Sequence, residues 1–224
     1  EKMYIQRYVD MPEEQRQAYD RLKITAMTIM QDEEVSYNNK LTELLKLQQV
    51  TNGFVKTNEG NIIDFKSNAK LKELMAIIEE TEDKCIIWAN YVHNIESIKS
   101  KLAETYGTDS VVSIYGKDSV EDRNQAVENF QNKDECRFLV GNPTVGGYGL
   151  TLTAAKYVIY FSNSYNLEVR QQSEDRAHRI GQKSQVTYID IICRDTIDQM
   201  VLHNLENKIE LSAKTLGEQV QKWL

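Results

Sequence analysis

Apolar and polar positions follow two different rhythms along this chain. Over residues 12–54 apolar side chains recur at helical spacing, as Leu41, Leu44 and Leu45 do, so this region is predicted to be helical. From Ser67 onwards short apolar runs alternate with amphipathic stretches. The runs predict buried strands and the stretches predict helices. This alternation indicates a parallel sheet with helices on both faces.

The second region contains five predicted strands, each followed or preceded by a helix. The strands are expected at residues 84–90, 110–115, 136–142, 156–162 and 185–193. Three helices are expected at residues 67–80, 92–106 and 119–131. A fourth helix is expected between the last two strands, and a final helix from about residue 196 to residue 216. Right-handed crossovers would bring the loops after the strands to one edge, where α/β proteins bind their ligands.

Composition limits the classes of protein that fit this pattern. With 224 residues and 41% hydrophobic content the chain can bury a sizeable core. No apolar run approaches the roughly 20 residues that span a bilayer, so no membrane is expected. The net charge of −7 argues against bulk electrostatic attraction to nucleic acid, which leaves a local contact strip. Because the chain begins with Glu1, we expect it to be cut from a longer protein.

Cysteine and histidine residues give no sign of a metal site. Cys85, Cys136 and Cys193 lie in or beside apolar runs without metal-ligand spacing, so buried, reduced thiols in an intracellular protein are predicted. The three histidines also lack ligand spacing. No metal ligand is therefore predicted in this chain.

Three loops at the predicted sheet edge carry the candidate chemistry. Residues 142–155 contain three glycines within four residues, which suits either a tight turn or a close backbone approach to a nucleotide or nucleic acid. The pattern differs from the dinucleotide fingerprint, which makes an NAD-type oxidoreductase a distant alternative. Residues 115–130 form a strand-to-helix connection whose role is open.

The third loop leads into the stretch QQSEDRAHRIGQ, residues 171–182. In a helix Gln172, Arg176 and Arg179 would lie on one face, with Asp175 available to a neighbouring charge. One interpretation is a solvated helix with surface ion pairs. The other is that both guanidinium groups reach a phosphate, whose oxygens suit their planar, permanently charged fork.

These stretches resemble, in order and spacing, the motifs of Swi/Snf-type DNA-dependent ATPases of helicase superfamily II. The resemblance covers residues 40 to 216 and is carried by LLKLQQVTN (44–52), SNAKLKEL (67–74), KCIIWANY (84–91), YGKDSVEDRNQAVENF (115–130), VGGYGLTLTAA (145–155), RAHRIGQ (176–182) and TIDQMV (196–201). The chain departs from the family at Gln48, where Arg is usual, at Tyr115, where His is usual, and at residues 142–144 and 165–167.

The resemblance implies the C-terminal, second RecA-like lobe of such an ATPase. Residues 67–224 would form the RecA-like helicase C-terminal domain, and residues 1–66 would form a helical protrusion and inter-lobe linker. ATP would bind between this lobe and a first lobe. Arg176 and Arg179 would be the catalytic arginine fingers. The residues near the nucleotide would be Gly147, Gly149, Gln172 and Asp175.

The same resemblance implies a surface for nucleic acid on this lobe. Its residues would be Asn90, Tyr91, Gly116, Arg123, Asn142 and Thr144. The implied partner is double-stranded DNA, along which the enzyme would translocate without necessarily separating the strands. The alternatives are a lobe of an RNA or DNA unwinding helicase and a degenerate lobe that only binds and regulates a partner.

No phosphate loop of the form G-x-x-x-x-G-K-[ST] occurs in this chain. The first lobe would therefore supply the phosphate loop and hold the Mg²⁺ that accompanies ATP. We expect the 224-residue chain alone to be inactive as an ATP hydrolase. We also expect a monomer in the cytoplasm, associated with the nucleoid of a bacterium or located in the host cell of a virus.

Overall fold

The computed structural model describes residues 2–32, 34–145, 149–182, 184–208 and 222–223. The chain divides into two compact units that each draw on two segments. The first unit comprises Glu1–Arg7 and Leu74–Ile191, and the second comprises Tyr8–Glu73 and Ile192–Leu224. Each unit is therefore built from parts of the chain that are far apart in sequence.

A six-stranded sheet organises the first unit. Its strands are β1 (Lys2–Val9), β4 (Cys85–Trp88), β5 (Val111–Ile114), β6 (Phe138–Gly141), β7 (Tyr157–Tyr160) and β8 (Val186–Cys193), in the spatial order β1-β8-β7-β4-β6-β5. The pairs β8–β7, β7–β4, β4–β6 and β6–β5 are all parallel. The predicted α/β fold and all five predicted strands are confirmed.

Helices separate the strands of this sheet, as the amphipathic stretches predict. They are α3 (Ala69–Glu79), α4 (Val92–Tyr106), α5 (Val120–Asn132) and α6 (Leu167–Ala177), with a short 3-10 turn at Thr108–Ser110. Ser119 caps α5, because its Oγ accepts a hydrogen bond of 3.0 Å from the backbone N–H of Asp122.

Burial along the strands shows that both faces of the sheet are covered. Successive strand residues point to opposite faces, yet every residue of β4, β6 and β8 is buried. Trp88, Tyr160 and Tyr188 belong to one continuous cluster of buried side chains that also includes Phe130 of α5. Such burial on both faces is characteristic of parallel sheets.

The second unit contains helices and a small hairpin. Its helices are α1 (Glu13–Gln31), α2 (Tyr37–Thr51) and α7 (Ile197–Glu206), and the hairpin pairs β2 (Phe54–Lys56) with β3 (Ile62–Asp64) in antiparallel register. The turn between β2 and β3 contains the NEGN stretch, residues 58–61, as its composition indicates. The helices predicted within residues 12–54 are confirmed.

Long-range polar contacts hold α7 within the second unit. The Tyr19 hydroxyl accepts a hydrogen bond of 2.8 Å from the backbone N–H of Ile197. Asp198 forms a buried ion pair of 2.7 Å with Lys70. Helix α7 ends at Glu206 with Asn207 as its C-cap, whereas one helix to about residue 216 was expected, and residues 209–216 lie outside the described residues.

Two features of residues 1–66 differ from a purely helical region. Lys2–Val9 is a strand of the main sheet, and residues 54–64 contain the hairpin. The two compact units also interleave along the sequence, whereas a single boundary at residue 66 was expected. The three-residue hairpin strands are too short for a periodic signal, and β1 mixes charged, polar and apolar side chains without strict alternation. The functional assignment of residues 1–66 as protrusion and linker stays a prediction.

Candidate functional site

The carboxyl ends of four parallel strands lie at one edge of the sheet in the first unit. Trp88 of β4 is in register with Gly141 of β6 and Tyr160 of β7, and Gly141 is in register with Ile114 of β5. The loops that follow these strands contain most of the predicted site residues. The sheet edge is therefore the candidate site, as the parallel order predicts.

Gly141 allows the strands to approach closely beneath this edge. A Cβ atom on residue 141 would lie 2.7 Å from the backbone oxygen of Ile114 and 3.2 Å from Trp88 Cζ3. These distances are shorter than ordinary van der Waals contacts. Only glycine fits at the point where β6 leads into the loop of residues 142–145.

Hydrogen bonds join the loops after β4 and β6. The Asn142 Nδ2 donates to the Asn90 carbonyl at 3.0 Å, and the Asn90 N–H donates to Ser162 Oγ at 2.9 Å. The Asn142 Oδ1 accepts from both the N–H and the hydroxyl of Thr144, at 2.9 and 2.6 Å. The structure thus brings together Asn90, Asn142 and Thr144, three of the predicted nucleic-acid residues.

The other predicted nucleic-acid residues lie in neighbouring connections. Tyr91 is the N-cap residue of α4 and is partly buried, and Gly116 is exposed in the turn after β5. The Arg123 Nη2 donates to the Asp118 carbonyl at 2.8 Å. Arg123 therefore stabilises its own loop, and no hydrogen bond within the described residues joins it to Asn90 or Asn142.

Arg176 is buried at the end of α6, and only 4% of it is exposed. Its Nη2 donates to the Pro143 carbonyl at 3.0 Å, and its Cζ lies 5.4 Å from the centroid of the Trp88 ring. Its Nη1 has no hydrogen-bond partner among the described residues. Burial lowers the pKa of Arg176, although a guanidinium group remains charged in proteins. A buried cation with a donor to spare is suited to bind an anion.

Arg179 lies outside the helix, in contrast to the prediction that one helical face presents both arginines. Helix α6 ends at Ala177, and its C-cap residue is His178. The exposed Arg179 side chain donates through Nη1 to the Gly149 carbonyl at 2.7 Å and to Thr151 Oγ1 at 3.2 Å. The two arginines therefore contact the same glycine-containing loop from different backbone conformations.

Gly149 adopts a left-handed backbone conformation with φ +63°. This conformation favours glycine, and it presents the carbonyl that Arg179 binds. Gly147, the other predicted glycine of this site, lies outside the described residues. The contacts of Pro143 and Gly149 show that the ends of this loop each bind one of the two arginines.

Gln172 and Asp175 lie on the exposed surface of α6. The Gln172 Nε2 donates to Glu168 Oε1 at 2.9 Å, and Asp175 forms an ion pair of 3.1 Å with Lys2. Within the described part of the chain neither side chain bonds to Arg176 or Arg179. Their predicted place near a nucleotide stays a prediction.

A buried charge network surrounds Arg170, and no motif in the sequence predicts it. The Arg170 guanidinium binds Asp190 at 2.6 and 3.0 Å and Glu174 at 2.8 Å, and it lies 3.6 Å from the centroid of the Tyr160 ring. Asn163 contributes a further bond of 2.7 Å to Arg170 Nη1. The spacing of Arg170 and Glu174 at i and i+4 is the one local signal that could have revealed part of it.

The three cysteine thiols are buried, as predicted. Burial raises the pKa of Cys85 and of Cys193 to about 12. Among the described residues no group of three or more His, Cys, Asp or Glu side chains is arranged to hold a metal ion. No helix in the described part of the chain is sufficiently long and apolar to cross a membrane.

Comparison with known proteins identifies the family. Residues 68–181, about half of the chain, match the family described as "Helicase conserved C-terminal domain". The chain is 33% identical over 217 residues to an uncharacterised ATP-dependent helicase of Mycoplasma genitalium. The aligned region covers 95% of this chain and 21% of that protein. It is 30% identical over 238 residues to a putative ATP-dependent helicase/translocase of Bacillus subtilis, covering 100% of this chain and 25% of that protein.

A solved structure agrees with these sequence relatives. The Sulfolobus solfataricus SWI2/SNF2 ATPase core in complex with double-stranded DNA superimposes with a TM-score of 0.77 at 26% identity, over 97% of this chain and 46% of that chain. The present chain spans a quarter or less of the two bacterial relatives. It belongs to the helicase conserved C-terminal domain family, and its RecA-like fold is that of the C-terminal lobe of Swi/Snf-type ATPases of helicase superfamily II.

Proposed function

We propose that this chain is the second motor lobe of an ATP-driven translocase or remodelling enzyme that acts on double-stranded DNA. ATP would bind between this lobe and a first lobe of the same protein. Hydrolysis would couple closure of the two lobes to stepping along the DNA backbone. We expect the protein to act as a monomer inside the cell.

One observation carries this proposal. Arg176 and Arg179 bind opposite ends of the loop after β6, at Pro143 and at Gly149. The loop follows a strand whose carboxyl end lies at the edge where α/β proteins bind nucleotides. Two permanently charged guanidinium groups at one such loop are suited to phosphate oxygens, which accept bidentate hydrogen bonds.

The two arginines would have different tasks in hydrolysis. Arg176 is held in a buried position, and its Nη1 can donate to a phosphate oxygen without breaking a bond within the described residues. Arg179 is exposed, and its Nη1 bonds to Gly149 and Thr151 would have to be exchanged for bonds to ATP. An arginine placed against a transferring phosphoryl group accelerates its transfer by roughly 10³ to 10⁵.

The first lobe would supply the remaining chemistry. Because this chain has no phosphate loop, the first lobe would supply that loop and would hold the Mg²⁺ that accompanies ATP. Gly147, Gly149, Gln172 and Asp175 would lie beside the nucleotide in the closed enzyme. We therefore expect the 224-residue chain to show no ATP hydrolysis above a buffer control, which a phosphate-release assay tests directly.

Contact with DNA would come from the loops at the same sheet edge. Asn90, Asn142 and Thr144 form one hydrogen-bonded group there, and Thr144 is exposed. Tyr91, Gly116 and Arg123 would extend this surface. The solved archaeal relative with double-stranded DNA supports DNA as the partner. Neutral amide and hydroxyl donors suit backbone contacts that do not depend on the acidic net charge of the chain.

The decisive experiment measures ATP hydrolysis by the chain joined to its own first lobe. Hydrolysis is compared without nucleic acid and with double-stranded DNA, single-stranded DNA or RNA. The variants are Arg176→Lys and Arg179→Ala, with Arg21→Ala as a matched control because Arg21 is an exposed arginine of α1. We expect stimulation by duplex DNA and a loss of about 10³-fold in kcat for Arg179→Ala.

Other outcomes of this experiment would favour one of the two alternative functions. Stimulation by RNA or single-stranded DNA would indicate an unwinding helicase. Absence of hydrolysis under all conditions, or hydrolysis that does not depend on Arg179, would indicate a lobe that only binds a partner. Arg21→Ala should retain the parent rate of ATP hydrolysis. This result would show that the loss in Arg179→Ala is specific to that arginine.

A further inference from the structure

Strand β1 is tied directly to the end of helix α6. The Tyr4 hydroxyl donates to Glu174 Oε2 at 2.7 Å. The Lys2 Nζ lies 3.3 Å from the same oxygen and 3.1 Å from Asp175 Oδ1. We refer to Lys2, Tyr4, Glu174 and Asp175 as the β1–α6 clamp. These four residues belong to the first compact unit, although about 170 positions separate the two pairs.

The clamp continues into the buried charge network. Glu174 receives its second support from Arg170, whose Nε donates to Oε1 at 2.8 Å. Arg170 is in turn held by Asp190 of β8. Tyr4 also stacks on Tyr188 of β8, with 5.3 Å between ring centroids. The Glu174 carboxylate is thus bound from β1 by Tyr4 and Lys2 and within α6 by Arg170, which Asp190 of β8 holds in place.

The clamp ends immediately before Arg176. The Glu174 carbonyl accepts a hydrogen bond of 2.8 Å from the Tyr188 hydroxyl, and the Arg176 carbonyl accepts one of 3.0 Å from the Leu152 N–H. Beyond this backbone support, the Arg176 guanidinium has one hydrogen bond, to Pro143, within the described residues. Because so few side-chain bonds orient this group, its position depends on the backbone of the last turn of α6.

We propose that Tyr4 and Lys2 are positioning residues that hold the last turn of α6 and thereby orient Arg176 for ATP hydrolysis. The inference rests on the proposed function of Arg176. Tyr4 contributes more than Lys2, because its hydroxyl lies 2.7 Å from Glu174 Oε2, whereas Lys2 Nζ lies 3.3 Å from the same oxygen. The Lys2–Asp175 pair is more exposed, with 68% of the Asp175 side chain accessible, and solvent weakens it.

The orientation of Arg176 can be measured without ATP through Trp88. The sequence contains two tryptophans, so Trp223→Phe leaves Trp88 as the sole indole. Trp88 is fully buried, and the Arg176 Cζ lies 5.4 Å from its ring centroid. A cation at this distance interacts with the ring electrostatically, so its displacement changes the fluorescence of the indole. Arg176→Met in this background provides the reference spectrum for an absent cation.

In this background Tyr4→Phe and Lys2→Met are compared with two matched controls. Tyr157→Phe removes a tyrosine hydroxyl from strand β7, and Arg7→Met removes an ion pair between β1 and Glu80. We expect the Trp88 emission of the clamp variants to move from the parent spectrum towards the Arg176→Met reference, with the larger shift for Tyr4→Phe. The controls should retain the parent spectrum. Far-ultraviolet circular dichroism establishes that all variants are folded.

The second measurement uses the chain joined to its first lobe. Tyr4→Phe should lower kcat for ATP hydrolysis about tenfold and leave KM for ATP unchanged, because the orientation of Arg176 matters in the transition state. Tyr157→Phe should retain the parent kcat. A purely structural role of Tyr4 would lower stability without this separation of kcat from KM.

The two measurements separate failure of this inference from failure of the proposed function. Unchanged Trp88 emission in Tyr4→Phe and Lys2→Met would overturn the inference, whatever the rates are. A shifted emission with the parent kcat would show that Arg176 moves without consequence, which also overturns it. If the parent two-lobe protein does not hydrolyse ATP, the proposed function fails, while the emission spectra still decide whether the clamp orients Arg176.

Discussion

The ion pair between Lys70 and Asp198 is the buried charge whose removal should destabilise the second unit most. Lys70 Nζ lies 2.7 Å from Asp198 Oδ2, and the two side chains are 1% and 6% exposed. Asp198 also accepts hydrogen bonds from Thr51 Oγ1 at 2.9 Å and from the Cys193 N–H at 3.1 Å. Asn52 Oδ1 accepts a further bond of 3.2 Å from Lys70.

The loss in free energy of unfolding depends on which buried charge a substitution leaves without its partner. Lys70→Met leaves a buried carboxylate with two neutral donors, and Asp198→Asn leaves a buried ammonium group. Each should lower the free energy of unfolding by about 3–5 kcal/mol. The double variant leaves no buried charge, and the amide that replaces the Asp198 carboxylate can still accept from Thr51 or Cys193. Its loss should therefore be about 1–3 kcal/mol, well below the sum of the two single losses.

Urea-induced unfolding followed by circular dichroism measures these differences. The exposed pair between Lys156 and Asp83 provides the control, because it has the same 2.7 Å separation, whereas its side chains are 47% and 38% exposed. Lys156→Met should leave the unfolding midpoint close to that of the parent protein. A Lys70→Met loss no larger than that of Lys156→Met, or a double-variant loss equal to the sum of the single losses, would refute the reasoning.

Three further predictions concern the close approach at Gly141, the cap of α5 and the buried thiols. Gly141→Ala should cost about 1–3 kcal/mol in urea unfolding, because its methyl group would lie 2.7 Å from the Ile114 oxygen. Ser119→Ala should cost about 1 kcal/mol by the same measurement through loss of the α5 cap. Burial raises the pKa of Cys85 and Cys193 from about 9 to about 12, so the folded state keeps protons that the unfolded state loses. Stability should fall as pH rises from 9 towards 12, by about 1.4 kcal/mol per pH unit for each thiol, and replacing both thiols by alanine should reduce this slope.

The parallel core could be predicted from the sequence because its signals are local. Runs such as CIIW at 85–88 and FLVG at 138–141 are continuous and apolar, which is typical of strands buried on both faces. The amphipathic stretches between them gave α3, α4 and α5. The edge strand β1 was missed because residues 2–9 combine charged, polar and aromatic side chains without strict alternation.

The sequence predicts that Arg176 and Arg179 lie close together, and it predicts their backbone conformation only in part. Arg176 and Arg179 do reach the loop after β6, yet α6 ends at Ala177 and only one of them is helical. No glycine or proline adjoins this helix end to signal it. Asp190 lies 20 positions from Arg170, and Glu174 lies 170 positions from Tyr4, so a single sequence contains no local signal for these two pairs.

The interleaving of the two units has a consequence for synthesis of the protein on the ribosome. Strand β1 is made about 175 residues before its neighbour β8, which begins at Val186. Helix α1 likewise emerges long before Ile197, the residue that donates to its Tyr19 hydroxyl. At about 5–20 residues per second, the amino-terminal segment would wait roughly 10–40 seconds for these partners. Neither unit can close co-translationally from its first residues. The charged side chains of Lys2 and Arg7 interrupt the apolar residues of β1, and charge on an exposed strand lowers its tendency to aggregate while it waits.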